Sequence, residues 1–394
     1  MPIISARSGK DEREALLAPA LLPLFDNVFI DSFDLCAEFV ARKALRVLQS
    51  TGLEDACATE ATVAQAVARA GLAADVARVP AAWLLETLAA RAWVDKRQDP
   101  NAETRYRVLR PLPALDPDET LAAQEKLDAS YLPSYQIVTL AAEHYPAVLR
   151  GQITGEQALF DAQGVVAWVK YFSNANPLYG ISNAIGALAA EPALGPDPAS
   201  ILEIGGGLGS GAEALLDRLE AAHSTTALSY RFTELSALFM KRAQRTLAGK
   251  HPGVAFTFAS LDIDRPFAEQ GIPAGTHTLA YGVNVLHVAH DLAFTLGQIK
   301  QALAPQGRLV VSECVRPIAG KPLHVEFVFN LLASFRNPVL VPGWRSNGGF
   351  LTPEQWTAAL EANGFADVRI FPDIAGIRDA YPEFAVAAIS ARSA

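Results

Sequence analysis

The chain has 394 residues, of which 51% are hydrophobic and 19% are charged, and its net charge is −9. This length predicts two globular domains, and the composition excludes a disordered chain. The acidic balance argues against a dedicated nucleic-acid binder. Cys36, Cys57 and Cys314 are too few and too scattered for a disulfide framework or a zinc site.

The beginning of the chain shows no targeting pattern. Residues 1–5 lead into the polar run at 10–14 without the apolar stretch of a secretory signal. No uninterrupted apolar segment of about 18 residues follows that could span a membrane. We therefore expect a cytoplasmic protein without a membrane partner.

Residues 1–190 are predicted to be mainly helical. After a long amphipathic helix, two shorter helices and a β-hairpin follow in winged-helix order, at residues 61–70, 76–91 and 93–108. In a DNA-binding protein the last helix would be basic, yet residues 75–91 have no net charge. Packing or homodimer formation is the better interpretation, so we expect a dimerisation and lid domain.

The pattern changes after a linker that contains three prolines between residues 192 and 198. We place the domain boundary between residues 190 and 191. Strands and helices then alternate, with strands predicted at 201–204, 228–233, 254–259, 278–282, 308–314, 368–371 and 384–389. This alternation predicts a doubly wound α/β sheet for residues 191–394.

A glycine-rich loop follows the first strand of this domain. Residues 205–211 read GGGLGSG and lead directly into a helix, an arrangement that binds nucleotides. Gly207, Gly209 and the following alanine also satisfy the spacing of a dinucleotide site, so NAD stays possible on spacing alone. Glu203, two residues before Gly205, would repel a pyrophosphate but suits the cationic end of S-adenosylmethionine.

This motif resembles that of class I S-adenosylmethionine-dependent methyltransferases. Further segments occur in the order of that family: YRFTELS at 230–236, LDID at 261–264, GVNVLH at 282–287 and LAPQGRL at 303–309. The sequences of these segments are similar to those of the C-methyltransferase domains of polyketide synthases. The N-terminal helices and hairpin, with SECVRP at 312–317, resemble small-molecule O-methyltransferases that dimerise through a winged helix.

The resemblance implies a Rossmann-like sheet with an antiparallel last strand and an enzyme of secondary metabolism. The methyl group would go to carbon or oxygen of a small-molecule or carrier-protein-bound acceptor. Glu234 would bind the ribose hydroxyls, and Asp262 and Ile263 would contact the adenine, with Asp264 as an alternative to Asp262. The full set of implied cofactor-binding residues is Glu203, Gly205, Gly207, Gly209, Glu234, Asp262, Ile263 and Asn284.

Two side chains at neighbouring strand ends form the predicted catalytic pair. His287 follows the fourth strand of the α/β domain, and Glu313 ends the fifth. Adjacent parallel strands bring their carboxyl ends together, so the carboxylate would orient the imidazole as a general base. The resemblance implies the same His and Glu combination. His290, followed by Asp291, is the rival base.

Aromatic and polar residues outside the core motifs are candidates for binding the acceptor. One group precedes the glycine loop and the other lies on a predicted helix at 323–335 and the loop after it; together they are Tyr171, Phe172, Tyr179, Phe327, Asn330, Trp344 and Arg345. No spacing of ligands suggests a metal site. The alternative functions are an NAD(P)-dependent oxidoreductase and a non-catalytic winged-helix regulator.

Overall fold

The computed structural model describes residues 10–98, 102–194, 199–222 and 228–394. The predicted turn at 99–101 and much of the predicted proline linker, residues 195–198, lie outside them. None of the described helices is long and apolar enough to cross a membrane.

The α-helices in chain order, α1 to α17, are Lys10–Leu16, Asn27–Ser50, Leu53–Ala56, Val63–Arg69, Ala74–Ala89, Pro117–Leu127, Leu132–Leu149, Gly155–Leu159, Ala162–Tyr171, Pro177–Ala190, Ser210–Ala221, Ala237–Lys250, Leu292–Ala302, Glu326–Phe329, Ala333–Arg336, Pro353–Ala362 and Ile374–Ile377. The strands, β1 to β10, are Ala61–Thr62, Val94–Arg97, Arg105–Val108, Ser200–Ile204, Ser229–Thr233, Ala255–Ala259, His277–Val283, Leu303–Cys314, Phe365–Phe371 and Val386–Ser393.

The described chain divides into two compact units. The first contains residues 25–171 and 320–336, and the second contains the described part of 8–24 together with 172–319 and 337–394. The single cut predicted at residue 190 differs from this division. Helix α10 packs on α11 and on strands of the large sheet, so it belongs to the second unit, whereas residues 320–336 pack with the first. The dimerisation role of the N-terminal part stays a prediction.

The first unit is mainly helical with a small sheet. Helices α3, α4 and α5 precede the hairpin β2–β3, and β1 pairs with β3 to complete a three-stranded antiparallel sheet. Helix α4 begins with a capping box, in which Thr62 and Gln65 satisfy each other's backbone N–H groups. The predicted order of helices and hairpin is therefore present.

The predicted helix at 323–335 is instead two short helices, α14 and α15. After Asn330, the N–H groups of Leu331 and Leu332 reach back only three residues, to the carbonyls of Val328 and Phe329. The chain is held there by tertiary contacts: the Tyr145 hydroxyl donates to the Phe327 carbonyl at 2.6 Å, and the Trp83 indole N–H donates to the Leu323 carbonyl at 3.1 Å. These contacts replace the regular helical bonds that the apolar pattern predicts.

The second unit is built on a seven-stranded sheet in the order β6-β5-β4-β7-β8-β10-β9. Strands β4 to β8 are parallel, and β10 runs antiparallel to both of its neighbours, β8 and β9. This confirms the predicted doubly wound α/β fold with an antiparallel last strand.

Both faces of the sheet are covered, which explains the continuous apolar runs of its parallel strands. Ile201 and Tyr281 point to a core that includes residues of α10, α11 and α12, and Leu202 and Ala280 point to the opposite core, with α13 and α16. The order of strands reverses between β4 and β7: the chain leaves β4 for β5 on one side, and leaves β7 for β8 on the other. Ligands of such sheets bind outside the carboxyl ends of these strands.

Candidate active site

The glycine loop connects β4 to α11 and is shaped by close approaches of the backbone. Gly205 has φ +60°, and a Cβ there would lie 2.3 Å from Val285 Cγ2. Gly207 also has positive φ, but a Cβ there would meet nothing within 4 Å. Gly209 has φ +89° and forms the N-cap of α11. The loop therefore lies tightly against the residues after β7 at Gly205 and leaves space above Gly207.

Glu203, on β4 directly below the loop, is buried, with only 1% of its surface exposed. Its Oε2 atom has no hydrogen-bond partner among the described residues. Burial raises the pKa of Glu203 to about 8, and the nearby Glu234 carboxylate adds to this shift, whereas the Tyr230 hydroxyl and the Ala212 N–H beside the same carboxylate oppose it. A buried acceptor without a donor is costly, so this position calls for a bound cation or donor.

Glu234, at the end of β5, closes the other side of the loop. Its Oε2 accepts from the Gly207 N–H at 2.9 Å and its Oε1 from the Ser236 N–H at 2.7 Å. Burial raises its pKa, and the N–H groups of Ser236 and Gly207, together with that of Leu235, oppose that shift. A carboxylate has about four lone-pair directions, so two acceptor positions stay available for hydroxyl donors.

Three other predicted cofactor-binding residues lie after β6 and β7. Asp262 is half-buried and its Oδ1 accepts from the Asp264 N–H, while Ile263 packs against the core. Asp264 is exposed and accepts from the His290 N–H at 2.9 Å. Asn284 has φ +50°, and its side-chain oxygen accepts from the Cys314 N–H at 3.0 Å, so it ties the end of β7 to that of β8.

His287 and Glu313 form a buried pair where β7 and β8 end. The distance from His287 Nδ1 to Glu313 Oε2 is 2.6 Å, and the two side chains are 3% and 0% exposed. Glu313 Oε1 accepts from the N–H groups of Val285 and Leu286 at 3.0 and 2.7 Å. The same Val285 packs against Gly205, so one short segment connects the pair to the glycine loop.

This arrangement determines which nitrogen of the ring carries the proton. A carboxylate is acceptor-only, so Nδ1 donates to Glu313 and the ring lone pair lies on Nε2. The Phe350 ring packs against the imidazole with a centroid distance of 4.7 Å. The imidazole is thus fixed in position and tautomer, as a general base requires.

The rival base has different surroundings. His290 is exposed, and its Nδ1 lies 2.8 Å from the Asn337 carbonyl oxygen. Asp291 caps helix α13 by accepting from the Phe294 N–H at 3.1 Å. The described contacts therefore give His290 no carboxylate partner of the kind that His287 has.

The predicted acceptor-binding residues divide between the two units. In the first unit, Tyr171 packs edge-on against Trp168, and Phe327 is fully buried and stacks on Tyr145. Asn330 in the same unit is 2% exposed, and its Nδ2 has no hydrogen-bond partner among the described residues. These placements make Phe327 a core residue of its unit.

In the second unit, Phe172 and Tyr179 pack edge to face at 5.1 Å, and Trp344 lies in the core. Burial, with nearby Cys314 and acidic side chains, raises the pKa of Tyr179, so its hydroxyl keeps its proton. The structure brings Tyr179 close to both Glu203 and Glu313.

Arg345 is buried against the segment that carries His287. Its guanidinium donates to the carbonyl oxygens of His287 and Ala289, both at 2.9 Å, and it is 0% exposed. Burial lowers its pKa to about 10, which still leaves it charged at neutral pH. Arg345 was predicted to bind the acceptor, but the structure uses its two terminal nitrogens to hold the backbone around His287.

One group of metal-ligand side chains comes together among the described residues. Asp217, Glu220 and His251 lie within 4.8 Å of one another. His251 Nδ1 is 2.7 Å from Glu220, and Lys250 Nζ is 2.8 Å from both Asp217 and Glu213. These side chains form an ion-pair network on α11 and the end of α12.

The comparison with known families agrees with the geometry. A family model described as a methyltransferase domain matches residues 202–309, the span from β4 into β8. Residues 202–309 form a methyltransferase domain. The glycine loop, Glu234 and His287 all lie inside this domain, and Glu313 follows its last matched residue by four positions.

Relatives of the methyltransferase domain occur in polyketide synthases. The chain is 31% identical over 235 residues to the highly reducing polyketide synthase ALT1 of Alternaria alternata, covering 57% of this chain and 8% of that protein. It is 35% identical over 173 residues to methyltransferase calH of Penicillium decumbens, covering 42% of this chain and 43% of that one. The chain thus spans about a tenth of the length of the polyketide synthases that it matches.

Solved structures share the fold over nearly the whole chain. The CurJ carbon methyltransferase superposes with a TM-score of 0.75 at 22% identity, covering 98% of both chains. The trans-methyltransferase CalH, solved in complex with SAH, superposes with a TM-score of 0.62 at 21% identity, covering 94% of this chain and 92% of that one. The fold of the described chain is therefore shared with these structures over nearly its whole length.

Proposed function

We propose that this chain is an S-adenosylmethionine-dependent methyltransferase that methylates the α-carbon of a β-ketoacyl-type acceptor, with His287 as the general base. The observation that carries the proposal is the buried His287–Glu313 pair, joined to the glycine loop through Val285. A base fixed beside a nucleotide-type loop supplies both parts of a methyl transfer: a place for the methyl donor and a group that removes the acceptor proton.

The residues around the loop fit the methyl donor. Glu203 Oε2, buried and without a described donor, suits the ammonium of the donor's amino-acid end. Glu234 has acceptor positions left for two ribose hydroxyls, and the space above Gly207 admits the donor without a clash. Asp262 and Ile263 would contact the adenine. When bound, the donor supplies a methyl group on a sulfonium, which is already activated for displacement.

The protein's own task is then to bind, orient and deprotonate the acceptor. Nε2 of His287 takes the proton, and the imidazolium that forms is stabilised by the Glu313 carboxylate at 2.6 Å. Glu313 in turn is held by two backbone N–H groups, and Arg345 fixes the carbonyls of the same segment. The base therefore stays in place while its charge changes.

The strength of the base favours an acidic C–H acceptor. A phenol of pKa about 10 lies roughly 3.5 units above a free histidine, so complete proton transfer would cost about 5 kcal/mol. A carbon between two carbonyl groups loses its proton more readily because the charge spreads over both oxygens. The similarity to carbon methyltransferases and to polyketide synthases supports the same choice, with the acceptor presented as a carrier-bound thioester.

The test locates the transferred methyl group. The full chain is incubated with [methyl-¹³C]S-adenosylmethionine and a β-ketoacyl thioester of N-acetylcysteamine, and the product is analysed by NMR. We expect the label on the α-carbon, and no reaction with the matched α,α-dimethyl thioester, which has no proton to lose. Label on oxygen would support O-methyl transfer instead, and tight NAD binding without S-adenosylmethionine binding would favour the oxidoreductase.

We also propose that the mainly helical first unit, rather than the whole of residues 1–190, serves as a dimerisation and lid region. Exposed apolar side chains of the first unit, among them Val166 at 57% and Phe160 at 42% exposure, support a contact surface. Sedimentation equilibrium tests this: we expect a dimer for the full chain and a shift towards monomer in V166E. A monomeric wild-type chain would contradict it.

A further inference from the structure

Helix α10 carries a buried amide that the sequence analysis did not single out. Asn183 is 0% exposed and lies in the apolar stretch Pro177–Ala190, where α10 packs against α11. A buried amide in such a helix needs hydrogen-bond partners for both its nitrogen and its oxygen. The only sequence signal is the presence of a polar side chain on the buried side of an otherwise apolar helix.

The orientation of this amide follows from a chain of hydrogen bonds. Asn174 Nδ2 lies 3.0 Å from the Ser210 carbonyl oxygen and 3.2 Å from Glu213 Oε2, which only accept. Asn174 must therefore present its Oδ1 to Asn183, 2.7 Å away, so Asn183 donates through Nδ2. Asn183 Oδ1 points away from Asn174 and has no hydrogen-bond partner among the described residues.

The oxygen of Asn183 faces the same place as Glu203. A Cβ on Gly211, in the first turn of α11, would lie 3.5 Å from Asn183 Oδ1 and 3.4 Å from Glu203 Oε1. The Glu203 carboxylate and the Asn183 amide oxygen are therefore neighbours at the start of α11, with Glu203 Oε1 on the side of Asn183. Glu203 Oε2, which lacks a described donor, is the other oxygen of the same carboxylate and would lie 2.9 Å from a Cβ on Gly206. A group with several N–H donors and a positive charge satisfies such a pair best, and an ammonium has three donors.

We propose that Asn183 Oδ1 and Glu203 together bind the ammonium at the amino-acid end of the methyl donor. The inference rests on the proposed function and adds a cofactor-binding residue from outside the glycine loop. Asn174 is a positioning residue, because its hydrogen bond fixes the Asn183 amide with the oxygen on the side of Glu203. Helix α10 thereby contributes a side chain to the proposed donor site.

The experiment compares two ligands that differ in the amino-acid end alone. Calorimetry measures Kd for S-adenosylhomocysteine and for 5′-methylthioadenosine, which keeps the adenosine and the sulfur but lacks the amino acid. We expect Asn183→Leu to weaken S-adenosylhomocysteine binding by ten- to a hundred-fold, about the effect of one charge-assisted hydrogen bond, and to change methylthioadenosine binding less than about twofold. Asn174→Ala should give a smaller loss with the same ligand selectivity.

A second measurement guards against a variant that is merely destabilised. In a double-mutant cycle with Glu203→Gln, the loss from Asn183→Leu should shrink, because both side chains act on one ammonium. An equal loss for both ligands, full additivity with Glu203→Gln, or unchanged binding would overturn the proposal. If wild-type protein binds methylthioadenosine and neither S-adenosylmethionine nor S-adenosylhomocysteine, the proposed function itself fails, and this inference with it.

Discussion

Replacing Glu313 by glutamine should change which nitrogen of His287 carries the ring proton. Glu313 Oε1 accepts two backbone N–H groups, from Val285 and Leu286. In Glu313→Gln the amide oxygen must keep that place, because an NH₂ group would face two donors. The NH₂ then points at His287 Nδ1, 2.6 Å from the carboxylate in the wild type, and forces this nitrogen to accept. The proton moves to Nε2, and the base is blocked.

The magnitude can be taken from the same chemistry in a known system. In the serine protease triad, a carboxylate-to-amide change of this kind lowers kcat about 10⁴-fold because the histidine is held in the wrong tautomer. A loss of 10³- to 10⁴-fold corresponds to about 4–5 kcal/mol of transition-state stabilisation. Since both backbone contacts of Glu313 survive in the amide, we expect the fold and the donor site to stay intact.

The assay is single-turnover methyl transfer to the β-ketoacyl thioester, with S-adenosylhomocysteine affinity measured in parallel. We expect Glu313→Gln and His287→Gln to lose 10³- to 10⁴-fold in rate and to bind S-adenosylhomocysteine within about threefold of wild type. His290→Gln is the matched control and should keep nearly full activity. If Glu313→Gln retains more than a tenth of the rate, the tautomer argument is wrong.

Three further predictions concern the surroundings of the pair. Gly205→Ala places a Cβ 2.3 Å from Val285 Cγ2 and should lower the free energy of unfolding by about 3 kcal/mol, as measured in denaturant titrations. A second substitution, Val285→Ala, should restore part of this stability. Gly207→Ala, where a Cβ meets nothing, should lower the free energy of unfolding by only about 1 kcal/mol. Because burial raises the pKa of Glu203 to about 8, S-adenosylhomocysteine binding at pH 7 should release a proton from Glu203, and its affinity should rise between pH 7 and 8. Calorimetry in buffers of different ionisation enthalpy measures this release; no release, or the same release in Glu203→Gln, would contradict the prediction. Arg345→Met leaves two buried carbonyls without their hydrogen-bond donor, so it should lower kcat and lower the free energy of unfolding by about 3 kcal/mol. The affinity for S-adenosylhomocysteine should not change. If only KM for the methyl acceptor changes, Arg345 contacts the acceptor instead.

Much of the second unit could be predicted because local pattern and topology agree there. The apolar strand, the glycines and the following helix predict the β4 loop, and neighbouring parallel strands predict that His287 and Glu313 meet. The β4 loop and the His287–Glu313 contact both depend on short segments at the carboxyl ends of strands, whose positions are set by the sheet.

Other contacts could not be predicted from sequence patterns, because they come from packing between segments that are distant in the sequence. Asn183 faces Glu203 because α10 lies on α11, although the two residues are separated by the linker. Arg345 reaches the carbonyl of His287 across 58 positions of sequence, and its charge suggested a ligand contact instead. The helix expected at 323–335 breaks because side chains of the first unit take its backbone groups.

Deuterium exchange at the acceptor tests the central claim most directly. The β-ketoacyl thioester is incubated in D₂O with the enzyme and S-adenosylhomocysteine, so that proton removal occurs without methyl transfer, and loss of the α-proton signal is followed by NMR. We predict enzyme-dependent exchange in the wild type and His290→Gln that falls to the uncatalysed rate in His287→Gln. Equal exchange in wild type and His287→Gln would contradict the assignment of His287 as the base.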